Sequence, residues 1–70
     1  MKPDESRVRI RMTKTGSIFG RMGVGDTFVV TGRKGMEVDE ARVFAYRVLK
    51  REHPDENEME WKAEEVPDAR

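Results

Sequence analysis

The sequence predicts an α+β fold: a small β-β-α-β domain in which one helix packs on an antiparallel sheet. Three observations carry this expectation. Residues 7–12 alternate strictly, with Val8, Ile10 and Met12 on one side and Arg7, Arg9 and Arg11 on the other. Thr27-Phe28-Val29-Val30-Thr31 is a run of β-branched and aromatic residues. Ala41, Phe44, Ala45, Val48 and Leu49 recur at helical spacing. Period two over a β-branched run specifies a half-buried strand, and apolar residues three and four apart specify an amphipathic helix.

Each element has its own local logic. The first strand buries Val8, Ile10 and Met12 and presents an arginine ladder to solvent. A glycine-rich stretch follows over residues 13–25, with Ile18, Phe19, Met22 and Val24 between the glycines, and Gly25-Asp26 turns the chain into the second strand. Gly32-Arg33-Lys34-Gly35 is a tight basic loop. Asp39 is an N-cap candidate and Glu40 suits the positive end of a helix dipole, so the helix is expected over about residues 40–52. Lys50 and Arg51 fall in its last turn, and His53-Pro54 ends it. Met59, Trp61 and Ala63 alternate with Glu58, Glu60, Lys62 and Glu64, which predicts a third strand. Trp61 is the largest apolar side chain and is expected to anchor the core against Phe28 and Phe44.

The domain organisation follows. Residues 1–6 read as a flexible N-terminal segment, residues 7–66 as a single domain and residues 67–70 as a C-terminal tail. At 70 residues and 36% hydrophobic composition, the core is small. A domain of about 60 residues buries only roughly 60% of its unfolded surface. The chain has no cysteine, so neither a disulfide nor a thiolate metal site can add stability. No segment reaches the roughly 20 apolar residues of a membrane span, and no charged start followed by an apolar run marks a secretory signal. The expected location is cytoplasmic.

The charge distribution is more informative than its total. The formal net charge is zero. Residues 1–51 hold twelve Lys/Arg against six Asp/Glu, whereas residues 52–70 hold two against eight. The zero is therefore an average over a +6 segment and a −6 segment.

Catalytic chemistry finds no support. The lone histidine, His53, stands beside Pro54 at a helix end, and Ser6 and Ser17 have no base in their sequence context, so a nucleophile, a base and an orienting group cannot be assembled. His53, Asp55, Glu56 and Glu58 do not have the spacing of a calcium loop. The glycines between Gly16 and Gly35 match neither phosphate-binding pattern, and turn geometry explains them. No enzyme activity, metal or cofactor is expected.

Binding chemistry is better supported. Arg42, Arg47, Lys50 and Arg51 concentrate around the helix face opposite the core, with Arg33 and Lys34 in the preceding loop. Tyr46 lies among them and suits stacking on a base or bonding to a phosphate. Arg7, Arg9 and Arg11 form a second basic surface that could track phosphates. If the third strand lies beside the first, Glu60 and Glu64 face these arginines and neutralise them.

Gly25-Asp26-Thr27-Phe28-Val29-Val30, the helix over residues 40–50 and the third strand resemble a group of short, largely uncharacterised phage and prophage proteins. Those have a Gly-Asp-Ser/Thr-Phe strand, an Ala/Tyr/Arg-rich helix and a basic, aromatic last strand. The likeness covers residues 22–66. In this chain glutamates occupy the last strand where that group is basic. The resemblance implies a phage setting.

The leading expectation is a small non-enzymatic binding module of phage type, probing nucleic acid through Arg33, Lys34, Arg42, Tyr46, Arg47, Lys50 and Arg51, with a regulatory role. The alternative is a protein-interaction module or an inhibitor of a host protein, docking through Asp55, Glu56, Glu58, Glu60 and Glu64. A homodimer, basic face to acidic face, is a third arrangement the charge split admits.

Overall fold

The computed structural model describes residues 7–16 and 20–67. The expectations for residues 1–6, Ser17, Ile18, Phe19 and the end of the C-terminal tail lie outside the described residues. The fold is α+β in the order β-β-α-β. Strand β1 spans Arg9–Lys14, β2 spans Thr27–Thr31, helix α1 spans Val38–Glu52, and β3 spans Trp61–Glu65 after a 3₁₀ turn at Glu58–Glu60. The sheet order is β2-β1-β3, with β1 central and antiparallel to both neighbours.

The side-chain alternation divides the sheet into two faces. Ile10, Met12 and Lys14 of β1, Val30 of β2 and Trp61 of β3 are buried on one face, and α1 covers them with Ala41, Ala45, Val48 and Leu49. These four helix residues fall on one stripe because residues three and four apart face the same way. Phe28 meets Trp61 edge-on, with ring centroids 5.5 Å apart. Phe44 sits at the margin of the core, beneath the guanidinium of Arg33.

Three boundaries differ from the sequence expectation. Strand β1 lies two residues later than residues 7–12, because Thr13 pairs with both neighbouring strands, and Lys14 pairs with Trp61 of β3 and donates its amide to the Asp26 carbonyl just before β2. Lys14 thus occupies an inward position, and its buried ammonium is answered by Glu56. Helix α1 begins two residues early. Glu37 is its N-cap residue, with no side-chain cap bond, and Asp39 lies in the first turn instead. The third strand begins only at Trp61. The Asn57 side chain accepts a hydrogen bond from the Met59 amide and winds residues 58–60 into a 3₁₀ turn, which leaves Met59 86% exposed rather than in the core.

Candidate nucleic-acid interface

Successive residues of an α-helix are roughly 100° apart around its axis. Arg47, Lys50 and Arg51 therefore share one side of α1, and all three are exposed. Arg42 lies roughly 140° around the helix from Arg47, on the other flank. There its Nη1 stands 3.4 Å from Asp39 Oδ1, one turn earlier. The six-residue basic patch expected from the sequence is thus divided, with Arg42 apart from the rest.

Tyr46 shares the Arg42 flank and is not an outward-facing stacking residue. It is half-buried and packs against the core, and its hydroxyl donates to the Trp61 carbonyl at 3.0 Å. The cause is helix phase: Tyr46 adjoins Ala45 and Leu49 on the side of α1 that faces β3.

The other flank carries a groove of about 370 Å³ lined by Arg33, Met36, Glu40, Val43, Phe44 and Arg47. Glu40, Val43, Phe44 and Arg47 are an i, i+3, i+4, i+7 series along one helix side, and the loop before α1 contributes Arg33 and Met36. The Arg33 guanidinium carbon lies 6.0 Å above the Phe44 ring, at the outer range of a cation–π contact. Two guanidinium groups and one carboxylate surround an apolar floor. Phe44, expected within the buried stripe, is only partly buried and also floors this groove, whose signal in the sequence is the four-residue series. Lys34 is exposed in the same loop. Arg51 Nη2 lies 3.5 Å from its neighbour Glu52, and both are exposed.

The second expected surface lies on the sheet face away from α1. Arg11 stands directly opposite Glu64 on β3 and contacts it at 3.3 Å. Lys62 lies 3.6 Å from the other carboxylate oxygen of Glu64. Arg7 and Arg9 are exposed. Glu60 does not face the arginines as the alternation suggested. It is buried, its backbone carbonyl accepts from the Thr15 amide, and a Cβ on Gly16 would come within 2.6 Å of its carboxylate.

The acidic segment does not form a single exposed docking surface. Glu56 is buried, and its carboxylate accepts from Lys14 Nζ at 2.8 Å, from the Arg21 amide at 2.8 Å and from the Met22 amide at 3.0 Å. These bonds to the charged form pull its pKa from 4.5 down to about 2, the Lys14 hydrogen bond contributing most and the Met22 amide next, against the opposing effect of burial. Glu60 is buried beside Gly16, and Glu64 is held by Arg11 and Lys62. Asp55 pairs with Arg21 at 3.4 Å, which leaves Glu58 as an exposed member of the set. A lysine buried on the core face of β1 needs a counter-ion, and the loop after α1 supplies it. Glu56 and Glu60 consequently point toward the loop that follows β1, away from the outer side of α1.

His53 follows the helix, donates its backbone N–H to the Leu49 carbonyl and packs its ring 5.5 Å from Phe28. Among the described residues, no group of three or more His, Asp or Glu is placed to hold a metal ion, and no helix is long and apolar enough to cross a membrane. Comparisons with protein-family models, with curated proteins and with solved structures each find no match.

Proposed function

We propose that this protein is a small non-enzymatic module that contacts nucleic acid through the outer side of α1 and the loop before it. Arg33, Lys34, Arg47, Lys50 and Arg51 would neutralise backbone phosphates. The floor formed by Met36, Val43 and Phe44 would receive the apolar part of a sugar or base. Such a surface binds through charge and shape with little reading of base edges. The phage setting implied by the sequence resemblance, and a regulatory role, belong to the same proposal.

One observation carries the reading. The Arg33–Phe44–Arg47 groove opens on the helix side that also bears Lys50 and Arg51, while Glu56 and Glu64 are paired elsewhere and Glu60 is buried beside Gly16. The internal engagement of those glutamates favours the basic surface over an acidic docking surface.

The test is binding of labelled single- and double-stranded oligonucleotides at two salt concentrations. Contact with three or four phosphates gives a log–log salt slope near roughly −3. The charge reversals Arg47→Glu and Lys50→Glu together should abolish binding. No binding at low salt, or binding unaffected by this double substitution, would contradict the proposal.

A further inference from the structure

The two edges of the sheet are finished differently. On the β3 side, the backbone bonds from the Thr15 amide to Glu60 and from the Val66 amide to Arg9 show which residues face β1. They are 60, 62, 64 and 66, so the backbone groups of 61, 63 and 65 face outward. This outer edge is obstructed. The Tyr46 hydroxyl caps the Trp61 carbonyl, the strand carries Lys62, Glu64 and Glu65, and Pro67 follows it. Charges and proline are the ordinary means of preventing a strand edge from pairing.

The β2 edge has none of these features. Asp26 accepts from the Lys14 amide and the Gly32 amide donates to Val8, so the even-numbered residues of β2 exchange bonds with β1. The N–H and C=O groups of Thr27, Val29 and Thr31 therefore point away from the sheet. These three residues are exposed, and no further strand lies beside them among the described residues. The strand Thr-Phe-Val-Val-Thr contains no charge and no proline.

We infer that β2 is a pairing edge and that its occupant is β2 of a second copy, joined antiparallel about Val29. The strand pattern is nearly symmetric about that residue. In this register Val29 meets Val29 of the second copy, and Thr27 meets Thr31. All the outward-facing groups then find partners in one continuous six-stranded sheet. Charge selects the antiparallel direction: Asp26 at one end of β2 comes beside the basic Arg33-Lys34 end of the other copy, whereas parallel addition would align like ends. Residues paired in an antiparallel ladder project to the same face, so both α1 helices lie on one side of the joint sheet. The inference does not rest on the nucleic-acid reading. A contact built on a five-residue strand is smaller than the roughly 1,000 Å² of a tight interface, so the dimer is weak and depends on concentration.

Sedimentation equilibrium of the full chain from about 20 μM to about 1 mM covers the relevant affinity range. The expected mass rises from the 8.1 kDa of the monomer toward twice that value. Val29→Lys and Val29→Glu place like charges opposite each other at the symmetry axis, on the exposed sheet face, and each should remain monomeric. An equimolar mixture of the two should associate again. A native chain that stays monomeric at about 1 mM overturns the inference. So does a Val29→Lys chain that associates like the native one, or a mixture that fails to associate.

Discussion

Lys14 and Glu56, 42 residues apart in the chain, meet through a 2.8 Å ion pair in which both side chains are almost fully buried. The pair ties the central strand to the loop after α1. Because Glu56 also accepts from the Arg21 and Met22 amides, it fixes the chain between β1 and β2 as well. Lys14→Met would leave a buried carboxylate without its cation, which is far costlier than an apolar replacement of the whole pair. The thermal midpoint should fall by about 10 °C or more, measured by circular dichroism. Lys14→Met combined with Glu56→Leu should recover only part of this loss, because two backbone amides remain unpaired.

Gly20 and Gly25 separate backbone strain from this clasp. Both have positive φ, +91° and +94° respectively. A Cβ at Gly20 would collide with the Glu56 carboxylate, whereas one at Gly25 meets nothing within 4 Å. Gly25→Ala should cost about 1–2 kcal/mol from the left-handed conformation alone. Gly20→Ala should cost clearly more, and urea denaturation of the two variants compares them directly.

Glu56 also gives the fold an acid limit. Its folded pKa is depressed from 4.5 to about 2. The stabilisation is complete above pH 4.5 and is lost as pH falls toward 2, since protons then bind the unfolded chain more readily. Stability measured by denaturant titration should decline steadily across that window. Glu56→Gln should be less stable at neutral pH and should show a shallower decline below pH 4.5.

Tyr46 acts in the fold through its hydroxyl. Tyr46→Phe removes the bond to the Trp61 carbonyl and should cost about 1 kcal/mol in urea denaturation. Oligonucleotide affinity should not change beyond the shift in folded fraction, because the hydroxyl is directed at β3.

The features legible in the sequence are those set by local periodicity. The stripe of Ala41, Ala45, Val48 and Leu49 is a helix-period pattern and is buried as expected. Strand β2 begins and ends with its β-branched run. What the sequence concealed depends on distant partners. Lys14 falls in the stretch that reads as glycine-rich loop, and its burial in β1 becomes intelligible only with Glu56 beside it. Met59, Trp61 and Ala63 alternate as if all three belonged to one strand, but a hydrogen bond from the Met59 amide to Asn57 winds the first of them into the 3₁₀ turn and outward, while the other two lie in β3. The basic residues of the candidate interface were visible, whereas their division between the two flanks of α1 required the helix phase. The groove at Phe44 required in addition the fold of the loop that carries Arg33 and Met36.

The most direct test of the proposed interface is an amide chemical-shift titration of the labelled protein with a short oligonucleotide at low salt. Shifts are expected at residues 33–36 and along the Val43, Arg47, Lys50 and Arg51 side of α1, with little change at residues 55–60. Shifts centred on the acidic loop or on the Arg7, Arg9 and Arg11 surface, or no shifts at all, would contradict it.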